Sequence, residues 1–223
     1  MAIINNDRKF IFVHIPKCAG TSVGMLLSQY NGLGDIELGV TEFGQALSPL
    51  YYKRFGVRKH STGSELKEAI GKHKWSQYYT FSFVRHPIGK LSSAYRFLKY
   101  SWKGWKGSEI MNDYKSFEDF VMSDFFLSPG PDRIFAPQFR FCYDTNNECL
   151  LNFIGKVEQL EIDVKSLLEN LNISDNYFKM RKHNEGKKKK SNEKISNDCL
   201  NRIVKRYGKD FELFKYETSR QWD

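Results

Sequence analysis

Lys9-Phe10-Ile11-Phe12-Val13-His14-Ile15-Pro16-Lys17-Cys18-Ala19-Gly20-Thr21-Ser22-Val23-Gly24-Met25-Leu26-Leu27 is the stretch on which the fold turns. Its opening residues, Lys9 to His14, are mostly apolar, β-branched or aromatic, the composition of a buried strand. Pro16 ends that strand. Small residues follow, and from Val23 onward the apolar spacing suits a helix. The unit is strand, small-residue loop, helix.

Working outward, the same grammar recurs. Tyr78-Tyr79-Thr80-Phe81-Ser82-Phe83-Val84 is a second strong strand, broken by Arg85-His86-Pro87, and Pro87 suits the first turn of a helix. Leu91, Ala94, Tyr95, Leu98 and Trp102 mark one apolar face of that helix. Phe153 to Val157 is a third strand, and Leu160 to Leu171 a further helix. Thr62-Gly63-Ser64-Glu65 fits a capping box for a helix reaching about Gly71, and Ser116-Phe117-Glu118-Asp119 is another capped start. A helix near Asp198 to Tyr207 and a separate Phe211 to Phe214 segment close the chain. Asn31 to Lys59 shows scattered glycines and aromatics with no clear period.

Strands alternating with helices predict an α/β fold, P-loop-like and three-layered, with a mainly parallel central sheet flanked by helices. No repeat or linker divides the chain, so residues 1–223 are expected to form a single domain. In such sheets ligands sit at the carboxyl ends of the strands. Both strand-loop-helix junctions, at Lys17 and at Arg85, fall there.

Composition narrows the partner. Among 223 residues, 35 Lys+Arg against 26 Asp+Glu leave a net charge of +9, which predicts an anionic ligand without naming it. The chain is 40% hydrophobic and 15% aromatic, enough for a sizeable core. No segment is apolar and long enough to span a bilayer. Met1 to Lys9 is polar and lacks the pattern of a secretory leader, so a cytoplasmic location, in a microbial or viral setting, is expected. The four cysteines include no CxxC pair, which argues against a structural metal. Cys142 and Cys149 flank the turn-like Asp144-Thr145-Asn146-Asn147 and would face each other in a hairpin; two reduced thiols is the alternative, which the missing leader favours.

The loop Pro16 to Ser22 has the parts of an anion cradle. Ala19 and Gly20 let backbone N–H groups turn inward, Thr21 and Ser22 bring hydroxyls to the start of a helix whose dipole favours negative charge, and Lys17 adds a mobile cation. It is not a Walker A loop, because no GxxxxGK[ST] occurs and the lysine precedes the glycine. A nucleotide kinase is disfavoured on that ground.

This loop, from His14 to Ser22, resembles the 5′-phosphosulfate loop of sulfotransferases that use 3′-phosphoadenosine 5′-phosphosulfate, in the carbohydrate branch that includes heparan sulfate 2-O-sulfotransferases. Phe83-Val84-Arg85-His86-Pro87 with Ser93-Ala94-Tyr95 resembles the family's 3′-phosphate segment. His86 and Lys90 depart from it, where relatives often carry Asp or Asn and Arg. His60-Ser61, Phe153 to Glu158, His183-Asn184 and Asp210 to Phe214 match further landmarks of the family.

The resemblance implies that Lys17, Cys18, Ala19, Gly20, Thr21 and Ser22 hold the 5′-phosphosulfate. It implies that Arg85 and Ser93, with Arg181 or a nearby lysine, hold the 3′-phosphate. It implies sulfuryl transfer to a hydroxyl acceptor, expected to be a carbohydrate, with adenosine 3′,5′-bisphosphate as product and no metal. Lys17 is the candidate for stabilising the leaving oxygen and His60 the candidate general base, since imidazoles titrate near neutrality. His14 reads as a packed strand residue near enough to the loop to matter, and His73, His86 and His183 are reserve candidates.

Some features stay open. Lys187 to Lys190 suits a solvated loop, a segment folding over the nucleotide, or a nucleic-acid contact, the last without any accompanying reading module. Tyr100, Trp102, Trp105 and Tyr114, interspersed with Lys99, Lys103 and Lys106, fit either sugar stacking or a hydrophobic cluster. The rival to an enzyme is a non-catalytic protein of the same fold that holds a nucleotide or glycan. The presence of both Lys17 and His60 favours the enzyme.

Overall fold

The structure is a computed structural model that describes residues 2–39, 41–174 and 195–218. Its elements run β1 (Ala2–Asn5), β2 (Phe10–Phe12), α1 (Gly20–Ser28), β3 (Ile36–Leu38), α2 (Glu42–Phe55), α3 (Gly63–Ile70), α4 (Lys72–Trp75), β4 (Tyr79–Val84), α5 (Pro87–Arg96), α6 (Phe117–Met122), α7 (Phe139–Cys142), β5 (Phe153–Lys156), α8 (Leu160–Asn170) and α9 (Asn197–Leu213). They fall into two compact units, one formed by residues 1–84 and 140–186 and the other by 85–139 and 187–223.

The first unit holds a five-stranded sheet of order β3-β1-β2-β4-β5. β2 pairs in parallel with β4, and β4 with β5. β1 is antiparallel to both β2 and β3, so four strands point one way and β1 opposes them. The mixed α/β class with a mostly parallel, helix-flanked sheet is as expected.

Side chains on successive strand residues alternate between faces. Phe10, Phe12, Phe81 and Phe83 therefore share one face, and with Ile3 they pack against Val23 and Leu27 of α1 and Val164, Leu167 and Leu168 of α8. Each buried side chain of that size contributes about 1.5–3 kcal/mol of transfer free energy. The other face is buried too, with Ile11, Val13, Thr80, Ser82 and Val84 nearly solvent-free. There Ser82 Oγ donates to the Val13 carbonyl at 2.6 Å, lacing β4 to the end of β2.

Four elements differ from expectation. The polar start of the chain contains β1, whose four residues are all buried, because Ala2, Ile3 and Ile4 supply the apolar run and Asn5 turns its amide onto the Tyr30 carbonyl and the Asp35 carboxylate. The aperiodic middle contains β3 and the 14-residue α2. α2 buries only Gly44, so it has no apolar stripe to announce it. The two C-terminal segments are one helix, α9, running through a non-helical residue at Tyr207.

The expected caps are present: Thr62 and Glu65 form a reciprocal capping box on α3, and Ser116 with Asp119 does the same on α6. The Asp144–Asn147 turn also forms, with the Leu150 N–H donating to the Cys142 carbonyl at 2.8 Å. Cys142 is buried and Cys149 exposed, and no disulfide joins them.

The second unit is helical. α5, α6 and α9 enclose a core that includes Leu91, Ala94, Tyr95, Leu98, Phe117, Phe120, Phe126, Phe135, Ile203 and Tyr207. The aromatic cluster left open by the sequence mostly belongs to this core. Tyr114 is buried, Trp102 packs against Phe97, and Trp105 stacks on Phe125 at 5.9 Å with rings only 4° from parallel. Tyr100 alone of the four is exposed. No helix among the described residues is long and apolar enough to cross a membrane.

Candidate functional site

β2 and β4 lie side by side and parallel, so the loops that leave them emerge at the same edge of the sheet. The loop after β2 is tightly wound. Lys17 and Ala19 both take left-handed backbone conformations, with φ of 65° and 54°. Such residues alternating with ordinary ones curl successive N–H groups toward a common centre, the geometry that binds anions.

Ala19 then serves as N-cap of α1, and no side chain caps that helix. The first intrahelical bond runs from the Val23 N–H to the Ala19 carbonyl at 3.1 Å, so the amides of the first turn point out of the helix end. An uncapped helix start behind a left-handed loop fits the 5′-phosphosulfate end of the expected donor. Lys17 is half-buried at the head of this loop, Cys18 is buried, and Thr21 and Ser22 are half-buried at the helix start.

Two histidines stand beside the cradle. His60 is 6% exposed, and its Nδ1 lies 2.9 Å from the His14 carbonyl oxygen. A carbonyl only accepts, so Nδ1 carries the hydrogen and Nε2 of the neutral ring is the basic nitrogen. The two rings are 4.4 Å apart, centre to centre. The His14 ring in turn covers Gly20: a Cβ at that position would come within 1.8 Å of His14 Cδ2 and Nε2.

His60, 38 or more positions from the loop in sequence, is therefore joined to it through His14. Sequence alone reads His14 as a packed strand residue close to the loop. What it missed is a tertiary contact, and the signal that hinted at it is a glycine at the start of a helix with no turn to make. His14 Nδ1 is buried without a hydrogen-bond partner among the described residues.

The second unit carries two further expected anion ligands, Arg85 and Ser93. Arg85 follows the last residue of β4 and is half-buried, and its backbone is bonded twice to the side chain of Gln138. Ser93 lies inside α5, half-buried, while its neighbours Ser92 and Ala94 face the core. The two departures noted at His86 and Lys90 are absorbed structurally. His86 Nε2 lies 3.1 Å from the Glu217 carbonyl, between the edges of Phe211 and Tyr216. Lys90 is buried and donates to the carbonyls of Ile134 and Ala136.

Among the reserve candidates, His73 lies exposed on α4. Arg181, His183 and Lys187 to Lys190 lie outside the described residues. Among the described residues no group of three His, Cys, Asp or Glu side chains gathers as a metal site.

Comparison with known proteins gives the family. Residues 1–217 match the model of a family described as "Sulfotransferase family". The carbohydrate sulfotransferase 14 of Danio rerio is 25% identical over 186 residues, covering 75% of this chain and 47% of that protein. The chain thus spans about half the length of that curated relative. Neither match names the heparan sulfate 2-O subgroup, and no solved structure matches the chain.

Proposed function

The chain belongs to the sulfotransferase family, and on that premise we propose that it moves a sulfuryl group from 3′-phosphoadenosine 5′-phosphosulfate to a carbohydrate hydroxyl. The observation that carries this reading is the link between His60 and the loop. A candidate base with its tautomer fixed sits against the same His14 that covers the cradle's glycine.

The donor supplies an activated sulfur–oxygen bond, and this chain's residues supply position and charge. Backbone amides from Cys18 to Ser22, with the hydroxyls of Thr21 and Ser22, hold the 5′-phosphosulfate oxygens. Arg85 and Ser93 are proposed for the 3′-phosphate, and so is Arg181, from the resemblance alone. The acceptor oxygen bonds to sulfur as the bond from sulfur to the bridging oxygen breaks, and the electron pair leaves on that oxygen. The Lys17 ammonium stabilises that charge. His60 takes the acceptor's proton at Nε2, and the resulting imidazolium keeps its Nδ1–H on the His14 carbonyl. The carbohydrate acceptor is supported by the similarity to a carbohydrate sulfotransferase and by the chain's basic charge.

The test is transfer of radiolabelled sulfur from the donor to a panel of oligosaccharides. Wild-type protein is expected to label at least one of them, whereas His60→Ala lowers kcat by about 10²–10⁴-fold and still binds the nucleotide. Tight nucleotide binding with no transfer to any acceptor would replace this reading with a non-catalytic binding protein.

A further inference from the structure

We infer that Gln138 is a positioning residue for Arg85, and that it sets the preference for a 3′-phosphorylated nucleotide; this rests on the nucleotide reading above. All the groups involved lie in the second unit. At Arg85 the chain has left β4 and has not yet entered α5, so its amide and carbonyl have neither a ladder nor a helical partner. Gln138 supplies both. The Arg85 N–H donates to Gln138 Oε1 at 2.8 Å, and Gln138 Nε2 donates to the Arg85 carbonyl at 2.8 Å. A two-point clasp of this kind fixes the direction in which the Arg85 side chain leaves the backbone.

The clasp is itself anchored. Gln138 is fully buried, and its own N–H donates to Asp210 Oδ2 at 2.8 Å, while the Phe139 N–H donates to Asp210 Oδ1 at 2.8 Å. Upstream in the same segment, Lys90 Nζ holds the carbonyls of Ile134 and Ala136, and the Tyr207 hydroxyl donates to the Phe135 carbonyl at 2.6 Å. Residues 134, 135, 136 and 138 are thus each tied to α5, to α9 or to Arg85. A segment pinned at so many points presents one amide side chain in one place. Burying a polar amide this completely is costly unless all its bonds are made, and here the partner of those bonds is the backbone of a proposed phosphate ligand.

The experiment is titration of adenosine 3′,5′-bisphosphate and of AMP into wild type, Arg85→Ala, Gln138→Ala, the near-isosteric Gln138→Met, and Arg85→Ala combined with Gln138→Met. Gln138→Met fills the same space and serves if the alanine variant fails to fold. Expected is a loss of about tenfold in affinity for the bisphosphate with AMP nearly unchanged. The double variant should be no weaker than Arg85→Ala, because both changes act through one guanidinium. Equal weakening of both nucleotides, or an unchanged preference, overturns the role of Gln138. A wild type that does not distinguish the two nucleotides overturns the parent reading instead.

Discussion

Lys17→Ala is expected to lower kcat for sulfuryl transfer by about 10²–10³-fold, the usual consequence of removing one preorganised charge or donor from a developing anion. Binding of adenosine 3′,5′-bisphosphate should weaken far less, because the cradle's backbone amides and α1 dipole remain. The reason lies in where Lys17 stands. Its left-handed backbone (φ 65°) sits between the end of the strand and the uncapped helix, and its side chain is half-buried at the head of the loop. A lysine is not chosen for that backbone, which strains any residue with a Cβ. Steady-state and single-turnover rates with the radiolabelled donor measure the effect. A variant that retains full turnover would remove Lys17 from the mechanism.

Gly20→Ala is the second large effect, on stability as well as function. The new Cβ would lie 1.8 Å from two atoms of the His14 ring. That ring has little room to retreat: it is 4% exposed, stacks on Phe12 at 5.9 Å and lies 4.4 Å from His60. Overpacking of this kind costs about 1–3 kcal/mol, a fall in Tm of roughly 2–12 °C for a chain this size. Any movement of His14 also displaces the carbonyl that fixes His60, so activity should fall further than stability alone explains. Removing the obstacle in the double variant Gly20→Ala, His14→Ala should recover much of the lost Tm. If Gly20→Ala melts as the wild type does, the packing of His14 against the loop is not as described.

Much of this was legible in the sequence, for identifiable physical reasons. β2, β4 and β5 carry dense β-branched and aromatic runs, and α3 and α6 begin with reciprocal caps, so local chemistry announces each of them. β1 was hidden because it is four residues long and runs into the polar Asn5-Asn6-Asp7. Yet an apolar run, that polar turn and a second apolar run are the pattern of a hairpin, and β1 pairs with β2 in that way. α2 was hidden because periodicity reports burial, and α2 is hardly buried.

The site divides in the same manner. The cradle is contiguous in sequence, so residues 17–22 could be named at once, as could Arg85 at a strand end. The contacts of His60 with His14, of His14 with Gly20, and of Gln138 with Arg85 join residues tens of positions apart, or rings to a backbone, and no spacing rule encodes them.

The most direct test of the central claim is calorimetric titration of wild-type protein with adenosine 3′,5′-bisphosphate and, in parallel, AMP. The account predicts binding near micromolar for the bisphosphate, at least about tenfold weaker binding for AMP, and loss of that difference in Arg85→Ala. Equal, weak binding of both nucleotides by the wild type would contradict it.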